Sequence, residues 1–458
     1  MSQTARIIAA QDPLPVQVPL ATEPLGVLGS FRSARRNVLE LIPELATHVP
    51  IISGRTGKRW HMVMDPDSNR RILRDALDDY PKSDVTKMIL RPGIGESLFV
   101  AEGQHWHWQR RVAAPVFTHR NIANLAPVMT AAADRASARI AAAEGRAADL
   151  FEEMVTATFE VIADVTLSGG EGFDRAAVHR GINAYISETA KVSLLDVLGA
   201  PAWIPRLNRL FTTQALREMK EVADRVIDAR RDAGPAPVPD LLDLLLGGED
   251  GKTGRRMNTA ELRDNLLTFI VAGHETTALT LAWSLYLCAF DQRVQDRART
   301  EAQAVLQGRA ASAEDVPHLP YIRQIIDESL RLYPPAAFLS RTAQKQDRLC
   351  GREIRPGDTV ILPIYALHRN HELWPDPHRF DPDRFGPGRK PDRFAYLPFG
   401  DGPRICIGAS FAVQEAVIIL STLLSRFRFG LVTGRNPRPV MILTLRPEGG
   451  VWLTVERA

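Results

Sequence analysis

The chain has 458 residues, 45% of them apolar and 24% charged, enough for one large globular domain or two or three ordinary ones. A net charge of only +3 argues against nucleic acid as the main partner. Three scattered cysteines, Cys288, Cys350 and Cys406, exclude a disulfide framework and fit a reducing cytoplasm.

Residues 1–20 carry Pro13, Pro15 and Pro19 and predict an extended arm; they lack the apolar core and cleavage site of a signal peptide. Next comes a basic-aromatic stretch, Trp106-His107-Trp108-Gln109-Arg110-Arg111, that on its own also suits a membrane surface or nucleic acid. Alanine-rich periodicity predicts amphipathic helices over Asn121–Ala143, Leu150–Leu167 and Gln214–Asp232. The apolar run Leu194–Ile204 reads as ordinary helix packing, with a mobile entrance lid as the alternative. Breaks are expected at Gly169-Gly170, Ala233–Pro239 and Gly247–Gly254, none long enough for an interdomain linker. Internal repeats and low-complexity tracts are absent from the sequence.

Asn258 and Glu261 form a capping-box pattern that opens a long helix. Its segment Leu266–Phe290 approaches membrane-spanning length but is interrupted by Gly273-His274-Glu275-Thr276-Thr277, which fits the centre of a large soluble domain better. Glycine in a helix costs about 1 kcal/mol relative to alanine, and a buried carboxylate costs more unless paired. Glu275 is therefore either salt-bridged elsewhere or used in chemistry. Glu328 and Arg331 share a helix face that Pro334-Pro335 ends. Thr359–Pro363 and Val440–Leu445 read as short strands. Between them lies Phe380-Asp381-Pro382-Asp383-Arg384-Phe385, and then Phe399-Gly400-Asp401-Gly402-Pro403-Arg404-Ile405-Cys406-Ile407-Gly408. This glycine-rich loop delivers Cys406 to the start of an apolar helix, Ala409–Leu424. A thiol at a helix N-terminus is biased towards thiolate, the metal-binding form, and Arg404 suits an anionic ligand group.

The complete Phe-Gly-x-Gly-x-Arg-x-Cys-x-Gly pattern resembles the haem-binding loop of the cytochrome P450 family, the haem-thiolate monooxygenases. The resemblance covers nearly the whole chain. It implies a mainly helical fold with small β-sheets, one domain over 1–458 enclosing haem b. Cys406 is then the axial iron ligand, with Phe399 packed nearby and the amides of Ile407 and Gly408 directed at the sulfur. Trp106, Arg110, Arg341 and Arg404 match the residues that meet the haem propionates. Ala272-Gly273-His274-Glu275-Thr276-Thr277 matches the oxygen-activating motif. There Gly273 widens the helix into a groove, Thr276 hydrogen-bonds bound dioxygen and Glu275 feeds it protons, while His274 faces away. Glu328, Arg331 and Arg384 match a buried structural triad. Two departures are minor: Glu275 where many bacterial members have aspartate, and Asp383 where glutamate is usual.

By position, Met88, Ile89, Leu90, Phe269, Ala272, Ala336, Ala337, Phe338 and Leu339 line an apolar substrate pocket. The expected reaction inserts one atom of O2 into a lipophilic organic substrate such as a fatty acid or terpenoid. Only about fifty residues follow Cys406, and a fused reductase is not expected. Electrons are expected from a separate ferredoxin and ferredoxin reductase, docking near Arg111, Lys390 and Arg393. The N-terminal membrane anchor of the family's microsomal members is not expected here, and a cytoplasmic location is. A peroxide-driven peroxygenase and a non-enzymatic haem-thiolate sensor are the alternatives.

Overall fold

The computed structural model describes residues 13–167 and 213–458, apart from Pro24 and Ile442. The expected lid segment, Leu194–Ile204, and the Gly169-Gly170 break lie outside the described residues. Helices dominate, and their bounds follow the sequence periodicity closely: His119–Ala141, Leu150–Leu167 and Thr213–Ala233. The capping box forms as expected, with Asn258 accepting from the Glu261 amide and the Glu261 carboxylate accepting from the Asn258 amide. It opens the central helix, Thr259–Phe290, whose C-terminal half is buried almost continuously. Around it pack Leu150–Leu167, Pro320–Leu332 and the helix that follows the cysteine loop, Ala409–Arg426. That last helix is long and apolar enough to cross a membrane, but 72% of it is buried in the fold, as befits a core helix.

Among the described residues, four small sheets form. The largest has strand order β1-β2-β4-β3, with β1 (Ile51–Thr56), β2 (Lys58–Val63), β3 (Leu339–Thr342) and β4 (Thr359–Leu362). The run Val440–Leu445, expected as one strand, is split. Arg438–Met441 and Leu445–Glu448 pair antiparallel as a hairpin, and Leu443 lies in its turn. The N-terminal arm is pinned from Val16 onwards by three tyrosine hydroxyls. Tyr286 and Tyr365 accept from the Val16 and Val18 amides, each at 3.1 Å, and Tyr333 donates to the Val16 carbonyl at 2.7 Å.

Glu328, Arg331 and Arg384 do come together. Arg331 donates to both Glu328 oxygens, at 2.6 and 2.7 Å, and the pair is wholly inaccessible. Its remaining hydrogens reach the carbonyls of His368, Pro377 and Arg379 at 2.7–2.9 Å. Arg384 approaches Glu328 at 3.4 Å and donates to the Asp376 carbonyl. His368 extends this lattice and was not foreseen. The Leu397 amide donates to its Nε2 at 2.9 Å, which leaves Nδ1 to donate to the Arg331 carbonyl at 3.1 Å. Thus the triad is tied to the chain two residues before Phe399.

Burial, then the Arg331 charge, push the His368 imidazole down to about 3, and burial and Arg369 push His378 down to about 4. Both stay neutral in the fold while the unfolded chain takes up protons below about 6.5. The stability they contribute is complete above that pH and is lost as pH falls towards 4 and then 3. We expect stability, read as melting temperature, to fall across that window, by about 1 kcal/mol per pH unit for His368 and by less for the partly solvated His378. His368→Gln should be less stable at pH 8 but show a shallower acid dependence; an unchanged slope would contradict this account.

Candidate active site

The cysteine loop is built by backbone geometry. Gly402 has φ +72°, and a Cβ there would lie 2.1 Å from the Leu73 carbonyl oxygen, so only glycine fits. The Cys406 amide closes the loop on the Phe399 carbonyl at 2.9 Å. Phe399 packs against the main core. Cys406 is accessible, as is part of the adjoining loop, although protein surrounds it. Burial pushes its thiol up, opposed by a hydrogen bond from the Gly408 amide and by the Arg110 charge. Coordination to a metal would itself remove the proton.

Beside the loop lies an excess of buried positive charge. Arg404 pairs with Glu102, donates to the Ala101 carbonyl and stands 4.4 Å over the buried Trp106 ring. Arg341 is 6% exposed, and its Nε has no hydrogen-bond partner. Burial lowers it to about 10, and repulsion from Arg404 adds to this. Lys82, which sequence reasoning missed, pairs with Arg341 through the backbone in an isolated β-bridge, and its Nζ donates to the Phe99 carbonyl; burial, Arg341 and Arg404 push it well below the usual lysine range. Among the described residues, these three cations thus share one close carboxylate, Glu102. The surplus of two positive charges and the orphaned Arg341 Nε fit the two propionates of haem b. Arg110, half-buried, also lies within the field of Cys406.

The central helix offers the other wall. Ala272 is exposed and Thr276 partly so, in a helix whose flanking turns are buried. Thr276 Oγ1 donates to the Ala272 carbonyl at 2.8 Å. His274 turns the other way: its Nδ1 meets the Ile270 carbonyl and its ring packs edge-on against Phe159. Gly273 serves helix packing, because a Cβ there would stand 3.1 Å from Ile162 Cδ1. Glu275 is 3% exposed and faces the C-terminal hairpin, where Thr444 donates to it at 2.8 Å and Arg446 forms an ion pair. Neither partner was foreseen, since both lie about 170 residues away in sequence.

The expected pocket is assembled in part. Phe269 is buried edge-on against Phe117 at 5.3 Å, and Phe338 is partly exposed. Leu90 is buried in a small cluster with Ile94 and Val100, against which Ile89 and Leu443 pack. Ala337 is a correction: it is wholly inaccessible, its carbonyl tied to the Tyr365 amide, while its neighbour Ala336 is exposed. Two of the expected docking cations are committed elsewhere. Arg111 forms a bidentate pair with Asp250, holding that carboxyl well below its usual range, and Arg393 pairs with Asp401 at 2.5 Å. Lys390 remains exposed.

The comparisons with known proteins agree with this geometry. The family model for cytochrome P450 matches residues 24–454. Cyclooctat-9-en-7-ol 5-monooxygenase of Streptomyces melanosporofaciens is 32% identical, over 89% of this chain and 88% of its own. Cytokinin hydroxylase of Arabidopsis thaliana is 30% identical, over 91% and 84%. Among solved structures, the crystal structure of the cytochrome P450DA heme domain superposes with a TM-score of 0.78 at 26% identity, covering 94% of this chain and 93% of that one. With the fold, the cysteine loop and its cationic flank in agreement, the chain belongs to the cytochrome P450 family and is a haem b-binding monooxygenase.

Proposed function

We propose that this monooxygenase inserts one atom of dioxygen into a lipophilic substrate, a fatty acid, terpenoid or similar molecule. Electrons come from a separate ferredoxin and its reductase, and the whole chain works as one cytoplasmic domain. The observation that carries the reading is the exposure of Ala272 and Thr276 on a central helix whose neighbouring turns are largely buried. Aromatic and aliphatic walls there favour orientation by shape rather than by hydrogen bonds. The relatives named for cyclooctat-9-en-7-ol and for cytokinin support an organic substrate without fixing which one.

Cys406 would supply the sulfur ligand to the haem iron, and Arg341, Arg404, Lys82 and Trp106 would hold the propionates. When bound, haem b supplies the iron at which dioxygen is reduced, and its thiolate ligand favours O–O cleavage. The protein's own task is to deliver protons and exclude stray water. Thr276 Oγ1, back-bonded to Ala272, keeps a lone pair for a hydrogen bond from the groove. Glu275 relays protons to that side: its carboxylate takes up a proton and passes it on, in ordinary general acid–base catalysis. Thr444 and Arg446 hold its carboxylate in position until it is called on. An intact acid–alcohol pair favours the oxygen-using reading over a peroxide-driven one.

The purified protein, reduced and exposed to carbon monoxide, should show the strongly red-shifted Soret band of thiolate ligation; an imidazole-like band would end the assignment of Cys406. Thr276→Ala should retain that band while product per electron drops on the order of tenfold and peroxide accumulates. Arg446→Leu should also lower product per electron, with haem content unchanged. Equal coupling in both variants and the parent would remove Thr276 and Glu275 from proton delivery. Arg341→Met and Lys82→Met should each speed haem transfer to a scavenging apoprotein about tenfold, the loss of one charge-assisted hydrogen bond. Unaltered transfer rates would exclude them as propionate partners.

A further inference from the structure

The sheet that carries Arg341 on one edge strand carries a second chemical constellation on the other edge. Ser53 lies on β1, the edge strand, directly opposite His61 on β2. Ser53 Oγ is 2.7 Å from His61 Nδ1, and His61 Nε2 is 3.1 Å from Asp358 Oδ2. The roles follow from donor inventory. A carboxylate only accepts, so His61 Nε2 carries the hydrogen, Nδ1 presents its lone pair, and the Ser53 hydroxyl donates to it. His61 is 3% exposed and Asp358 5%, whereas Ser53 is exposed. Asp358 is itself fixed by the Arg355 amide at 2.8 Å and by Arg59 at 3.3 Å. Nucleophile, base and orienting acid are therefore linked in the order that serine hydrolases use, on a fold unrelated to theirs.

Strand register adds a further part. The Met64 amide donates to the Pro50 carbonyl, and these two residues are opposite in the β1–β2 register. Pairs alternate along an antiparallel ladder, so Ile52–Met62 and Gly54–Trp60 are the hydrogen-bonded pairs and Ser53–His61 is a non-bonded one. Non-bonded pairs bring side chains closest, which explains the short contact. They also turn the Ser53 amide away from β2, out of the open edge of the sheet. The nucleophile's own N–H is thus free to receive an oxyanion, as an oxyanion hole requires. Arg55 and Arg59 occupy the next pair on the same face.

We propose that Ser53, His61 and Asp358 form a second reactive centre, in which Ser53 takes acyl groups from small activated esters. Ser53 Oγ attacks the ester carbonyl as its proton passes to His61 Nδ1. The developing oxyanion meets the Ser53 amide. The C–O bond to the leaving group breaks, the leaving alcohol takes the proton from His61, and an acyl-serine remains. Water, deprotonated by the same imidazole, then releases the acid and restores the hydroxyl. No oxidant or electron is needed, so the centre works independently of haem chemistry.

The test treats full-length holoenzyme with para-nitrophenyl acetate and maps acetylation by peptide mass spectrometry. A burst of nitrophenolate approaching one per chain, with acetyl on Ser53, is expected. Ser53→Ala should abolish the burst and leave the carbon monoxide spectrum unchanged. His61→Gln should slow Ser53 acetylation on the order of a hundredfold. If that variant loses haem, Asp358→Asn, which disturbs the tautomer of His61, provides the same comparison. Acetylation of Ser53 no faster than that of other exposed serines, or equally fast without His61, would overturn the proposal. The carbon monoxide spectrum reports separately on the haem assignment, so either reading can fail alone.

Discussion

The site depends first on a buried ion pair, Arg331 with Glu328. Taking two ions out of water costs several kcal/mol each, and pairing them recovers that only with good geometry and further hydrogen bonds. Arg331 has both: a bidentate carboxylate and three backbone carbonyls between His368 and Arg379. Those carbonyls belong to a stretch with little regular structure of its own, where backbone groups would otherwise lack partners. The pair therefore acts less as a source of stability than as a template for the chain leading to the cysteine loop. Removing either member would leave a buried charge alone, at about 3–5 kcal/mol. His368 carries the same constraint one step further, to Leu397.

Against that fixed frame, the cationic flank is under-compensated. Lys82, Arg341 and Arg404 face a single close carboxylate; burial lowers all three, and mutual repulsion lowers Lys82 and Arg341 further. A dianionic ligand relieves this imbalance, and whatever binds only the folded form stabilises it by mass action. Haem retention and folding would thereby be coupled through electrostatics. This also explains why Arg404 serves two partners: Glu102 and the Trp106 face steady a guanidinium that would otherwise be repelled by its neighbours.

Much of this was legible because the signals are local. The cysteine loop, the Asn258–Glu261 box and the Glu328–Arg331 spacing each lie within ten residues, and short-range patterns survive any fold. Helix bounds followed from periodicity for the same reason. What escaped was long-range: Lys82 beside Arg341, His368 against Leu397, and Asp358 reaching His61 across nearly three hundred residues. Val440–Leu445 misled because a run of apolar residues gives no register, and its interior turns back on itself. Ala337 misled because extended chain alternates faces, so a one-residue error exchanges wall for core.

Glu275 shows where motif and geometry part. The motif places acid and alcohol side by side in sequence, but successive residues on a helix point about 100° apart. With Thr276 turned to the opening, Glu275 must face elsewhere, and it faces Thr444 and Arg446. In the proposed role, a proton relayed by Glu275 would reach the groove only if that carboxylate left the hairpin or passed the proton through the Thr444 hydroxyl. Either route makes the hairpin part of the acid's environment. Leu443, one residue from Thr444, packs on the cluster of Leu90, Ile94 and Val100, beside Ile89. The segment expected to touch substrate and the segment that holds the acid are therefore in van der Waals contact. A change of packing at the one is felt by the other, because close-packed interiors transmit displacement rather than absorb it.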